Sequence, residues 1–323
     1  MIFRADGSPF AHRVEASLKM RPQFDPMTQT FTSPQVVCRP ALSRDTADVL
    51  EFCKGIWDGH DYIQYVWDMW LGDADGPLIT AEYGGRAVGI AKISHVSRGQ
   101  WWFEGLRVDP KLQGLKIGSH LHEYIDQWWL EHGDGYVRLM TSSKRVKVHH
   151  LCEKSGYHKI ADVVSDYETT PLDGPADAFQ LVTLGEVKPS LEFVLQCPIL
   201  KMTGLMDDFW RQVRPDEFLL GEMIRTGRAF WWRSGEGLLF TWAWGNGTED
   251  DPKVLGISLP ACPMEILSEF LLDVRRLAGN QGCKFVVWVA PVHDTVRDAL
   301  IVAGFHPDQD DTMFVYEKKH PVS

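Results

Sequence analysis

The chain predicts an α/β fold, a mixed sheet with helices packed on it, built twice in tandem. Three observations carry that prediction. Residues 36–167 read in order as β-α-α-β-β-β-α-β-α-β. Within that order a strand ending at Val108 is broken by Asp109-Pro110 and passes through a glycine-containing turn into an amphipathic helix. The segment Gly135–Tyr157 then recurs, displaced by 148 residues, as Cys283–Phe305, each copy closing on Gly-aromatic-His.

Each element has its own signal. Val36 to Ala41 reads as a strand, and Asp45 to Ile56 as a helix with Val49, Phe52 and Cys53 inward. Gly55 to Tyr62 is a loop, followed by a helix from Tyr65 to Leu71. Strands follow at Leu78–Tyr83, Ala87–Val96 and Trp101–Val108, joined by turns at Gly84-Gly85 and Arg98-Gly99. The helix Ser119–Leu130 carries Leu121, Ile125 and Trp128 on one face. After it come a strand at Tyr136–Ser142, a helix from Arg145 to Lys154 capped by Gly156, and a strand from Tyr157 to Tyr167. The expected domains are a flexible extension at 1–34, a first domain at 35–168, a linker rich in Pro, Gly and Asp at 169–178, and a second domain at 179–323.

The second domain reads as a worn copy. Gly237–Trp244 and Val254–Leu259 supply strands and Ile266–Leu277 an amphipathic helix. Where the first copy has its glycine turn, this one reads Pro260-Ala261-Cys262-Pro263-Met264-Glu265, without glycine and with prolines that lack N–H donors. Its expected roles are shaping a substrate pocket, bracing the first domain, or forming a homodimer.

Composition narrows the classes. A net charge of −11 argues against a nucleic-acid partner and suits a cationic one. No run of about 18 apolar residues is present to cross a membrane, and the first residues lack the apolar core of a secretory signal. Six cysteines without paired spacing read as reduced thiols of a cytoplasmic protein. His120 with His122, and His149 with His150, lack the i, i+4 spacing of a helical zinc site, so no metal is expected.

The turn before the Ser119 helix is the chemically informative stretch. A helix start leaves backbone N–H groups without intrahelical acceptors, and the helix dipole adds positive potential, so the turn suits a pyrophosphate. The stretch Phe103–Ser119, FEGLRVDPKLQGLKIGS, resembles the acetyl-CoA-binding segment of the GNAT N-acetyltransferase superfamily, written Q/R-x-x-G-x-G/A. Gln113, Gly118 and the preceding LRVDP match, whereas Lys116 stands where a glycine is usual; Gly114 can supply backbone freedom and the Lys116 ammonium can pair with a phosphate.

The resemblance implies two tandem GNAT-like domains, the second degenerate, with acetyl-CoA as co-substrate. It implies that Gln113, Gly114, Leu115, Lys116, Ile117, Gly118 and Ser119 hold the pyrophosphate. Leu106, Arg107 and Val108 would present backbone groups to the pantetheine arm, an N–H near Leu106 polarising the thioester, and Arg145 would reach the adenosine phosphate. Glu104, on the same strand face as Leu106 by simple alternation, is the candidate base, with Trp101, Trp102 and Phe103 expected to raise its pKa. A tyrosine acid is usual in a pattern like L-Y-E-K-x-G-F; here Leu151 to Tyr157 puts Cys152 at that place, as acid or as packing.

A narrower resemblance covers roughly residues 50 to 120. IWDGHDYIQYVWDMWL (56–71) and the WFEGLRVDP stretch are similar to the branch of the superfamily that holds the vertebrate histidine N-acetyltransferase and its bacterial relatives. That implies a small-molecule amine as acceptor, such as a free amino acid, with Asp58, Asp61, Tyr62 and Glu82 available to its ammonium or, equally, to helix and turn capping. Two other classes stay open: a protein or peptide N-acetyltransferase, and a non-catalytic acyl-CoA-binding sensor or scaffold.

Overall fold

Alternating apolar residues between Leu78 and Val108 fold into three consecutive antiparallel strands, seen in a computed structural model that describes residues 36–59, 61–112, 114–249, 251–307 and 311–322. The extension read at 1–34 and the motif residue Gln113 lie outside the described residues. The chain divides into two units, Met1–Val137 with Lys319–Ser323, and Arg138–Lys318.

The first unit holds β1 (Val36–Pro40), α1 (Thr46–Cys53), α2 (Ile63–Gly72), β2 (Leu78–Tyr83), β3 (Arg86–Ser97), β4 (Gln100–Val108) and α3 (Ile117–His132). Its strands lie in the order β1-β2-β3-β4, every neighbour antiparallel. Side chains alternate across the pleat. Ile90 joins Val49, Phe52, Val66, Trp67 and Trp70 under α1 and α2, while its neighbour Gly89 faces Ile117 and Leu121 of α3. The buried stripe of α3 runs Ile117, Leu121, Ile125, Trp129. Trp129, not Trp128, is therefore the core residue; Trp128 stacks on His132 with ring centroids 4.8 Å apart. The helix also begins at Ile117, two residues before the expected start.

The remaining elements begin with β5 (Tyr136–Ser142), α4 (Val146–Lys154) and β6 (His158–Thr169). The rest of the second unit is β7 (Phe179–Leu181), α5 (Val187–Gln196), α6 (Pro198–Thr203), the small hairpin β8 (Met206–Asp207) and β9 (Gln212–Val213), α7 (Glu217–Arg225), β10 (Ala229–Trp232), β11 (Gly237–Trp244), β12 (Val254–Ala261), α8 (Leu267–Asn280), β13 (Phe285–Pro291), α9 (Asp294–Val302), β14 (His306–Pro307) and β15 (Thr312–Lys319). The strand order there is β5-β15-β6-β13-β12-β11-β10-β7.

Two features of that order bear on function. The last strand of the chain, β15, starting at Thr312, lies between β5, starting at Tyr136, and β6, starting at His158. Strand β6 in turn pairs antiparallel with β15 through His158–Val164 and with β13 through Val163–Thr169. The turn before α8 has also lost its glycine geometry: Ala261 ends β12, Cys262 is buried, and Pro263 caps the following turn in an ordinary extended conformation. Among the described residues no helix is long and apolar enough to cross a membrane.

Candidate functional site

The register of β4 against β3 contains an irregularity that sets the site. Phe103 and Glu104 pair with Ile93 and Lys92, and Arg107 and Val108 pair with Ile90 and Gly89. Gly105 and Leu106 therefore stand together where β3 offers Ala91 alone, a bulge of one extra residue. Gly105 takes a φ of +69°, which glycine adopts without strain. Lys92 and Ile90 are two apart on β3 and share a face, so their partners Glu104 and Arg107 share that face as well. The expectation that Glu104 and Leu106 point the same way is thus corrected, because the bulge breaks simple alternation between them.

Glu104 is partly buried, and the Ser94 hydroxyl donates to its Oε1 at 2.7 Å. Arg107 is buried and forks onto Asp61: Nε donates to Oδ2 at 2.8 Å and Nη2 to Oδ1 at 3.3 Å, while Nη1 donates to the Leu106 carbonyl at 3.2 Å. The guanidinium carbon lies 4.2 Å from the Trp57 ring centroid and 5.2 Å from that of Tyr62. Tyr62 meets Trp70 edge-on at 6.1 Å. Burial pushes the Tyr62 phenol up to about 12 against the downward pull of Arg107, with Glu104 and Asp61 adding to the rise.

Of the residues expected to receive an ammonium, Asp61 already neutralises Arg107, and its Oδ1 also accepts from the Ile63 N–H at 3.3 Å. Glu82 sits on β2 with its Oε2 2.7 Å from Nη2 of Arg39. Both carboxylates are thereby committed to cations of the protein itself. The Asp58 side chain lies outside the described residues. The Asp61–Arg107 pair was invisible in sequence, since its members are 46 positions apart.

The turn into α3 runs through left-handed backbone. Gly114 takes a φ of +91°, and Lys116, at the place usual for glycine, takes φ +57° and ψ +19°, the left-handed conformation that glycine would supply. From there the chain enters a 16-residue helix at Ile117, so the first amides of α3, Ile117 to Ser119 among them, have no intrahelical acceptor. Those donors and the dipole fit a phosphate ester. A Cβ at Gly118 would meet Cγ2 of Val108 at 3.7 Å, an ordinary van der Waals contact.

In the second unit, Cys152 is fully buried on α4, and burial pushes its thiol up to about 12, with Glu153 adding to the rise. Arg145 is exposed and stands at the N-cap of the same helix. Among the described residues no group of three or more His, Cys, Asp and Glu side chains is placed to hold a metal ion.

Strand, bulge, left-handed turn and helix follow one another as one continuous α/β arrangement. Residues 44–157 match the profile described as "Acetyltransferase (GNAT) family", about a third of the chain. A human protein named "Probable N-acetyltransferase 16" is 27% identical over 124 residues, a stretch that is 36% of this chain and 34% of that protein. The chain thus matches only about a third of that relative's length. Among solved structures, a GCN5-related N-acetyltransferase from Sphaerobacter thermophilus superposes with a TM-score of 0.61 at 14% identity, covering 88% of this chain and 95% of its own. A tandem GNAT protein from the clavulanic acid biosynthesis pathway gives a TM-score of 0.54 at 14% identity, covering 90% and 100%. These structures establish the tandem GNAT fold.

Proposed function

We propose that the chain transfers the acetyl group of acetyl-CoA to the amine of a small molecule such as a free amino acid, by direct attack on the thioester, with Glu104 as base. The observation that carries this reading is the bulge at Gly105–Leu106. It lifts Leu106 out of the regular β3–β4 register while keeping Glu104 on the face of α1 and α2, one strand length before the left-handed turn into α3.

Acetyl-CoA supplies the activated acyl group. The amides at the start of α3 hold its phosphates, with Lys116 adding charge. An N–H freed from the ladder at the bulge would stabilise negative charge on the thioester oxygen. Glu104, held by Ser94, removes a proton from the incoming ammonium, directly or through water. Cys152 serves packing, because a thiol that is fully buried and titrates near 12 is a poor proton source; the CoA thiolate takes its proton from solvent. The second domain, without a phosphate loop of its own, binds no CoA.

The test is thiol release from acetyl-CoA across free amino acids, polyamines, aminoglycosides and a lysine peptide, for the wild type and Glu104→Gln. We expect turnover of a small amine, reduced about a hundredfold or more by the substitution, with acetyl-CoA affinity retained. A loss of only a few-fold removes Glu104 from the role of base. Tight acetyl-CoA binding with no amine acetylated removes the enzyme reading itself.

A further inference from the structure

The loop that joins α1 to α2 is held in a way that stability alone does not explain. Trp57 is 46% exposed, yet it adopts a φ of +49°, a conformation unfavourable for a bulky side chain. Its ring covers the guanidinium of Arg107, whose side chain is 9% exposed beside an Asp61 side chain that is 2% exposed. A buried ion pair is a poor source of net stability, since two desolvated charges must first be offset by their own attraction. Both departures from the easiest arrangement fall on the same loop.

That loop is also coupled to the reactive strand. Arg107 follows the bulge directly, and the pair carries Tyr62, next in the chain to Asp61, onto the face where Glu104 stands. Trp70 of α2 completes the contact: a Cβ at Gly105 would lie 2.6 Å from its Cζ3, so helix and bulge cannot shift independently. The Trp70 indole N–H is buried there without an acceptor. That indole N–H, beside the half-buried Tyr62 ring and the bulge, is a polar donor on the same side as the Asp61–Arg107 pair.

We propose that Asp61 and Arg107 act as a latch that positions Trp57 and Tyr62 as the wall of the amine pocket beside Glu104. The inference rests on the reading of the chain as an amine acetyltransferase. In it Asp61 is a positioning residue, not an ammonium ligand, and Arg107 acts through the loop, not on CoA. The latch joins two segments distant in sequence, the loop before α2 and the bulged strand β4.

The experiment compares Asp61→Asn, Arg107→Gln and Arg107→Lys, using the free amino acid with the highest turnover in the panel above. The expected result is a KM for that amino acid raised about tenfold or more, with KM for acetyl-CoA changed less than about twofold. The double variant Asp61→Asn/Arg107→Gln should be no worse than the poorer single variant, because the two groups act as one unit. Arg107→Lys, which keeps the charge but loses the fork, should recover only part of the loss. An unchanged amine KM overturns the latch, and so does a parallel rise in both KM values with a fall in melting temperature, the mark of a merely structural pair. Hydrogen exchange gives a readout that needs no turnover. Faster exchange of the 57–63 amides in Asp61→Asn, with α3 unchanged, supports the latch, and equal exchange overturns it. Wild-type silence on every amine would instead sink the transferase reading.

Discussion

Lys116 occupies a left-handed conformation that disfavours a residue with a Cβ by about 1–2 kcal/mol. Replacing it with glycine relieves that strain, but adds freedom to the unfolded chain worth roughly 0.5–1 kcal/mol. The two effects nearly cancel, so Lys116→Gly isolates the ammonium. If that charge meets a phosphate, acetyl-CoA affinity should fall about tenfold at low salt, and the loss should shrink as salt rises. Calorimetry at two ionic strengths checks this; equal affinity for both proteins at low salt would reduce Lys116 to a turn residue. The same scale shows what the sequence could reveal. The loop was legible because a glycine-bearing turn before an amphipathic helix is a local pattern. The bulge left one local sign, a glycine inside the strand at Gly105, and alternation read straight through it gives the wrong partner for Glu104. The Asp61–Arg107 pair left none, since a salt bridge between distant segments is fixed only by the fold.

At the level of elements, the repeat is sharper in structure than in sequence. Helices α4 and α9 are offset by 148 residues at both ends, 146–154 against 294–302. The glycines that follow them, Gly156 and Gly304, take φ of +84° and +79°. A helix, its glycine cap and the next aromatic residue are all set by neighbours in sequence, which is why this part could be read in advance. Strand pairing is set by distant partners, and there the reading was incomplete: the place between β5 and β6 is filled by β15, from the end of the chain. At Val163 and Val164, β6 is paired on both sides, with Met313 and Thr312 of β15 and with Pro291 and Ala290 of β13. Val315 is fully buried in a cluster with Ala161, Val163, Leu205 and Val289. Deleting residues 312–323 should therefore expose β5 and β6 together, although neither is touched in sequence. Hydrogen exchange is the check, with the smaller change Val315→Ala, expected to destabilise by roughly 2 kcal/mol, as a variant that still folds. Full protection of 136–142 and 158–164 in the deletion protein would show that β15 is dispensable.

Across the whole molecule, all six cysteines are buried and unpaired. Burial raises every one of their thiols, those of Cys38, Cys53 and Cys152 from an ordinary value of 9.0 to about 12, and those of Cys197, Cys262 and Cys283 in the same direction. Below pH 9 the thiols are neutral in both folded and unfolded chains, and their contribution to stability is constant. Above pH 9 the unfolded chain loses protons that the folded chain keeps until about pH 12, so the unfolded state binds fewer protons and stability falls as pH rises. Each buried thiol in that window removes up to about 1.4 kcal/mol per pH unit. Several acting together exceed the margin of an ordinary domain. The melting temperature should be level from pH 7 to 8.5 and then drop steeply towards pH 10.5. Cys152→Ala should soften the slope while lowering the plateau, through the cavity it leaves. A thiol reagent should label no cysteine at pH 7.5 until the protein melts. Early labelling, or a melting temperature that stays level to pH 10.5, would mean that the thiols are not sealed from water, and the packing role given to Cys152 would fall with them.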